Sequence, residues 1–434
     1  MFKNFVRDVL GIPLPQQRAV GLLFLYSFLT SSSYFVARTV GDSLFLSQRG
    51  ISSLPEMFLF SAIAVGLSAA LANRLGKSVR ILRIARTTRI SLVTATLLLD
   101  WLDGLNETRI WAVSLLYILA EVRGCLNTIQ LTSLLAEVFQ HQRAKSAFAV
   151  VAAGAPMAGI ATGIVMGSEI LALGGRTWLI FLCGLDLFAV ATLSFPLFRS
   201  GSTWQRRLSE QTAFRDNIEN PPLTSTGNTN NTVFLIALMT MTACKSLVLT
   251  MISYQWKSIA AVHFQSNEAL LTAYFARFYA VTDSLILMIQ LFATGRLLNR
   301  IGTSRALQAF PVLCALIALL LLQSREYLSS LLAVTIARAG DVYRRSIYDV
   351  ATAELFLPLE IPMQRKYNAV ANGIVKPATE AAASVLIRLC VRSMGVLGMS
   401  QVWILFLPVW LGAILLLSRN TVRHEEGKPI DGGV

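Results

Sequence analysis

The sequence predicts an all-α polytopic membrane protein of about twelve transmembrane helices, arranged as two sets of six. Three observations predict it. Hydrophobic residues fill 54% of the 434 positions and charged residues only 14%, against roughly 25% charged in a soluble domain. The apolar residues fall in long blocks near the roughly 20 residues that a helix needs to cross about 30 Å of hydrocarbon. Most basic residues lie in the short segments between those blocks.

Lipid offers no partner to backbone polar groups, so blocks of this kind are helices or barrel strands. Barrel strands are about ten residues long and alternate strictly, and these blocks are longer and uniformly apolar. The spans lie near 19–38, 53–73, 82–102, 110–137, 146–167 and 177–198, then near 232–253, 268–295, 303–323, 327–350, 367–392 and 399–418. The stretch between the sets, Arg199 to Asn231, holds the paired prolines Pro221 and Pro222 and a Ser/Thr/Asn-rich end, which reads as a flexible connection. The expected organisation is an N-terminal six-helix bundle (1–198), a cytoplasmic linker (199–231), a C-terminal six-helix bundle (232–419) and a cytoplasmic tail (420–434).

Lys and Arg set the orientation. Arg74, Lys77, Arg80, Arg83, Arg86 and Arg89 follow span two. The linker holds Arg199, Arg206, Arg207 and Arg215, and Arg296, Arg300 and Arg305 follow span eight. The opposite loops hold isolated bases: Arg49, Arg109, Arg176 and Lys257. Both termini are therefore expected on the cytoplasmic side of a bacterial inner membrane, or on the equivalent side of an organelle membrane such as a thylakoid or plastid envelope. The net charge of +14 reads as this topology and not as nucleic-acid binding. Cys125, Cys183, Cys244, Cys314 and Cys390 are scattered singly in apolar blocks, and His141, His263 and His424 share no metal-ligand spacing, so no metal or cofactor is expected. Walker A, GxSxG and HExxH signatures are missing, which argues against an enzyme.

The halves look internally related. Near the end of span four the chain reads AEVF, then Gln142 to Lys145, then a small-residue span with Gly154 and Pro156. Near the end of span ten it reads AELF, then Gln364 to Tyr367, then a span with Gly373 and Pro377, and Glu137 and Glu354 correspond. Such ordered matches six spans apart point to parallel repeats, an arrangement that resembles the two halves of major-facilitator transporters.

Ionisable residues inside spans are costly and mark function or mutual pairing. Glu121 lies about a dozen residues into span four, near the midplane. Arg123, Asn127 and Gln130 share another face of that helix at i, i+4 and i+7. On span ten, Arg338, Asp341, Arg345 and Asp349 form one stripe of alternating sign, which predicts a ladder. Lys376 and Glu380 are an i, i+4 pair on span eleven, where Gly373 and Pro377 loosen the helix. Lys245 has no acid on its own helix, so it needs a partner from elsewhere. Arg277 is a further base within a span.

Several stretches resemble the nucleoside triphosphate/diphosphate translocases, the ATP/ADP exchangers of plastids and intracellular bacteria and their bacterial relatives. They are ARTVGDSLFLSQRGISSLPEMF, YILAEVRGCLNTIQLTSLLAEVF, HQRAKSAFAVVAAGAPMAGI, ISYQWKSIAA after span seven, and RRSIYDVATAELFLPLE. The likeness runs in order along nearly the whole chain, and it implies a twelve-helix major-facilitator-like fold and nucleotide exchange. Arg38, Asp42, Glu121 and Asp349 match. Gly41 stands where the translocases carry the Lys of Lys-Asp, Ser253 where they carry a Glu ahead of Trp256 and Lys257, and Thr352 where a Lys follows Phe-Asp. A divergent relative with a changed substrate is the reading.

The expected substrate-binding residues are Arg38, Glu121, Arg123, Asn127, Lys245, Arg277, Arg338, Asp341, Arg345, Lys376 and Glu380. The expected function is secondary transport of a nucleotide such as ATP or ADP, or of another phosphorylated anion, with membrane lipids as the surroundings. A carrier of lipid or another less charged solute, and a non-transporting membrane scaffold or complex subunit that keeps the fold, are the alternatives. Obligate exchange follows if Lys245, Arg338 and Lys376 share one cavity unpaired, because the empty carrier would then strand positive charge. Pairing with Asp283, Asp341 and Glu380 removes that argument.

Overall fold

The computed structural model describes residues 14–75, 81–104, 108–138, 150–168, 174–195, 228–323, 327–355 and 370–426. The first half holds α1 (Leu14–Gln48), α2 (Leu54–Leu75), α3 (Ile81–Asp103), α4 (Arg109–Val138), α5 (Gly154–Gly167) and α6 (Gly175–Leu193). The second holds α7 (Asn228–His263), α8 (Glu268–Phe292), α9 (Thr303–Gln323), α10, α11 (Lys376–Gly398) and α12 (Leu407–Glu426). A short helix, Thr294–Ile301, joins α8 to α9. The helix α10 is built in pieces: Tyr327–Ala339, Asp341–Tyr343, a π-helical turn Arg344–Tyr348, and Asp349–Glu354. A second π turn, Ala371–Val375, leads into α11, with Pro377 next to its first residue. The expected loosening near Gly373 and Pro377 takes that form.

Among the described residues, ten helices are long and apolar enough to cross a membrane. The remaining two of the expected dozen, α3 and α10, are disqualified by their charges. The helix α3 carries Arg83, Arg86, Arg89, Asp100 and Asp103, and the pieces of α10 carry the ladder residues. Both nonetheless pack among their neighbours: α3 on α4 and α6, α10 on α7, α8 and α9. Span one was expected at 19–38 and span seven at 232–253, but both helices run about ten residues further. They continue because Arg38, Asp42 and Lys257 sit in a polar interior and not at a lipid boundary. The Gln142–Lys145 and Gln364–Tyr367 repeats lie outside the described residues, as does the linker up to residue 227.

The packing repeats with a shift of six helices. In the first half α1 packs on α4, α5 and α6, and α3 packs on α4 and α6. In the second half α7 packs on α10, α11 and α12, and α9 on α10 and α12. The halves meet chiefly through α5 with α8 and through α2 with α11, and α8 also packs on α1. These two seams exchange under the same shift, as two-fold related repeats require.

The α5–α8 seam is closest because Gly159, Gly163 and Gly167 recur every fourth residue. Side-chain-free positions let membrane helices approach backbone to backbone. A Cβ on Gly163 would come within 2.5 Å of the Ala276 carbonyl oxygen and 2.7 Å of the Ala280 Cβ. Gly184, on α6, has open space around it. We expect Gly163→Val to lower stability by about 1–3 kcal/mol through overpacking while Gly184→Ala changes it little. Thermal unfolding of both variants in detergent checks this.

Candidate functional site

Charged side chains from both halves meet between them. From the first half come Arg38 and Asp42 on α1 and Glu121 on α4. Arg38 donates to the Tyr34 hydroxyl in a short contact, faces Glu121 at 3.9 Å, and lies over the Tyr34 and Tyr279 rings. Glu121 is 29% exposed and stands within electrostatic reach of Lys257, Lys376 and Arg338 across the interface. It therefore lies neither in lipid nor in a sealed pair.

The second half supplies the larger share. Lys245 finds its acid on another helix, Asp349 on α10, at 3.2 Å. Arg338 bonds Asp341 at 3.2 Å and lies over the Trp256 ring. The ladder on α10 differs from the expected stripe. The π turn inserts a residue and rotates the side chains beyond it, so Arg344 bridges Asp341 (2.6 Å) and Asp349 (2.8 Å). Arg345 turns away to Asp283 on α8, at 2.5 Å. Lys376 faces Glu380 at 4.0 Å, and its side chain is 51% exposed although it lies deep in the bundle. The space beside its ammonium is thus open and not packed. On α4, Thr128 and Thr132 continue the face of Glu121 and are exposed, so the cleft runs toward the end from which α1 and α7 start.

The other end is closed. Lys257 donates to Asp42 at 2.7 Å and to the Tyr117 hydroxyl at 3.0 Å, and both charged side chains are buried. Thr272 donates to Ser43 at 2.7 Å. The Gly175 amide donates to Glu268 at 3.2 Å, and Arg388 pairs with Glu56 at 2.9 Å. Each of these contacts joins one half to the other. Lys257 was expected in a loop; α7 carries it inside the protein instead, beside Trp256, whose ring packs on Phe275 and Phe278. Apolar periodicity could not find it, although the Trp-Lys pair and Asp42 both belong to stretches with the translocase resemblance.

Two expected site residues, Arg123 and Asn127, belong to a different structure. Arg123 and Arg89 share the Asp186 carboxylate in the interior of the first half. Arg123 also donates to Ser33 (2.7 Å) and Thr96 (3.0 Å), and Arg89 donates to Asn127 in a short contact and to Gln130 at 3.3 Å. Asn127 donates onward to the Thr30 carbonyl at 2.7 Å. This network ties α1, α3, α4 and α6 together and does not face the cleft. Arg277 is also elsewhere: its Nε donates to the Gly167 carbonyl at 2.9 Å, on the exposed edge of the α5–α8 seam. The central cluster therefore gathers Arg38, Glu121, Lys245, Arg338, Asp341, Arg345, Lys376 and Glu380, and adds Asp42, Lys257, Asp283, Arg344 and Asp349.

Neither a family model nor a curated protein sequence matches the chain. Solved structures do. A peptide transporter POT in complex with sulfate aligns with TM-score 0.62 at 11% identity over 94% of each chain. A D-xylose-proton symporter aligns with TM-score 0.63 at 12% identity, over 92% of this chain and 96% of that one. A mutant nucleoside transporter NupG aligns with TM-score 0.61 at 12% identity, over 92% and 99%. The fold is major-facilitator-like. The likeness is one of fold, and it spans both halves.

Structural and cleft charges should respond differently to neutralisation. Asp186→Asn leaves two buried guanidiniums without a counter-charge and should cost about 3–5 kcal/mol. Lys376→Gln removes a half-exposed charge and should change stability by less than about 0.5 kcal/mol. Unfolding curves of the two variants under one set of conditions decide it.

Proposed function

We propose that the chain is a secondary transporter working by alternating access, with a small organic anion carried in the cleft between its halves. The observation that carries this reading is the cluster itself. Charges supplied by both halves gather between them, with Lys376 half exposed on one side and the Asp42–Lys257 pair buried on the other. Charge inside a membrane bundle is expensive, and a purely structural role would bury it as the Arg89–Arg123–Asp186 network is buried.

Anion preference follows from the charge balance among the described residues. Arg38, Lys245, Lys257, Arg338, Arg344, Arg345 and Lys376 outnumber Asp42, Glu121, Asp283, Asp341, Asp349 and Glu380 by one. Lys376 is the most available base, half exposed and loosely held by Glu380. Nucleotides or other phosphorylated anions are the finer reading. Four stretches with the translocase resemblance supply Arg38 and Asp42, Glu121, Lys257, and Asp349, and these residues converge on this cluster although they are far apart in sequence. The missing charges at Gly41, Ser253 and Thr352 favour a substrate changed from ATP and ADP.

Obligate exchange loses its support. Lys245, Arg338 and Lys376 each face an acid, so the empty carrier strands no row of unpaired bases.

Proteoliposomes offered a panel of nucleotides, sugar phosphates and neutral sugars test the reading. We expect saturable uptake of a phosphorylated anion, and a Lys376→Gln variant about tenfold weaker in apparent affinity, the equivalent of about 1.4 kcal/mol. Uptake confined to neutral solutes, or unchanged in Lys376→Gln, contradicts the anion assignment.

A further inference from the structure

Asp283 on α8 is fully buried, 0% exposed, where α8 crosses α5. Its Oδ1 accepts from Arg345, and its Oδ2 has no hydrogen-bond partner. Gly159 of α5 makes the space for Oδ2; a Cβ there would overlap it. The groups that face Asp283 are few. Arg345 and Asp341 come from α10 and Arg38 from α1. Tyr279 lies one turn back on α8 itself, and α5 (Gly154–Gly167) carries no titratable side chain. The partner is the unusual part. Arg345 is 28% exposed and stands within electrostatic reach of Asp341 and Tyr34, so the same guanidinium links a dry carboxylate to the central cluster. Asp42 also has an unpartnered oxygen, but its Lys257 is as buried as itself and cannot be reached from the cleft.

We propose that Asp283 is a proton-binding site coupled to anion binding: an anion in the cleft draws Arg345 off Asp283, and the carboxylate left behind takes up one proton. The proposal rests on the reading of the cleft as an anion site. A buried carboxylate that loses its hydrogen-bonded cation, and keeps only the longer-range field of Arg38, is driven toward its neutral form. The proton comes from water as hydronium, leaves a water molecule, and forms the carboxylic acid. For a monoanion the cluster then gains one negative and one positive charge, so the loaded carrier keeps the charge of the empty one. When the anion leaves, Arg345 returns and the proton departs. Linkage makes the effect mutual: protonating Asp283 frees Arg345 and strengthens anion binding by the same factor. The transporter would carry one proton with each anion.

Infrared difference spectroscopy on the full chain in lipid bilayers reads the carboxylic-acid C=O band directly. Two arms separate the proton site from the anion site. Without any anion, Arg345→Gln should show the band at a pH where the wild type lacks it, with the midpoint higher by about one pH unit or more, a tenfold change in proton affinity. Asp283→Asn, alone or combined with Arg345→Gln, should lack it. In the second arm, inorganic phosphate or ADP added to the wild type at constant pH should raise the band, and Asp283→Asn should show no rise. An Arg345→Gln spectrum without the band overturns the proton site whatever the anion does. A wild-type band that stays flat while equilibrium dialysis shows phosphate or ADP bound overturns the coupling. If neither anion binds, the anion reading and the coupling fall together, and the first arm still reports on Asp283 alone.

Discussion

A charge inside a membrane bundle must be met by protein or by trapped water, because lipid meets it with nothing. Most of this architecture follows from that constraint. In the first half it produces a sealed network, with two guanidiniums on one carboxylate and with neutral hydroxyls and amides accepting from their terminal nitrogens. That network fixes α1, α3, α4 and α6 relative to one another. The second half solves its interior differently, with Trp410 donating to Tyr348 and Trp403 to Gln255 within packed aromatic rings. Each half is thus internally tied, and the remaining charges face the other half.

Contacts between the halves are of two kinds. The glycine seam of α5 on α8 is close, with no room for a Cβ at Gly159 or Gly163. The closure at Asp42, Lys257 and Tyr117 is ionic, buried and small. A pair of this kind is strong only while water is excluded. Separation at that end rehydrates both charges and lowers the cost of parting them. The Lys376–Glu380 pair is of another sort: it lies within α11, is partly exposed and is looser, at 4.0 Å. Ties within each half and smaller contacts between the halves are what the proposed alternating access needs from a bundle.

Much of this was legible in the sequence. Composition and block length gave the helical membrane class, and the six-plus-six order agrees with the packing symmetry. Glu121, Lys245, Lys376 and Glu380 were singled out by the cost of charge in a span, and the fold gathers them into the proposed site. Lys257 was missed because a charged residue near a span end reads as loop, and only packing across the halves carries α7 past it. Arg344, an in-span base, was left out of the ladder because the ladder was counted at helical spacing, and a π turn cannot be counted from residue types. Arg123 and Asn127 were assigned to the cleft because helical spacing shows which residues share a face but not what that face meets. The same limit applies to Gly159, Gly163 and Gly167: their spacing of four marks a close-packing face, and only the fold shows that α8 lies against it.

The central claim is that two rigid halves alternate around one charged cleft. Spin labels at Gly174 and Gln265 report the closed end, and labels at Arg74 and Arg296 report the end toward which the cleft runs. Pulsed dipolar spectroscopy in lipid bilayers should give two populations for each pair, with the short distance at one end accompanying the long distance at the other as substrate or pH shifts the balance. A single fixed distance at both ends, or distances that lengthen together, would contradict the account.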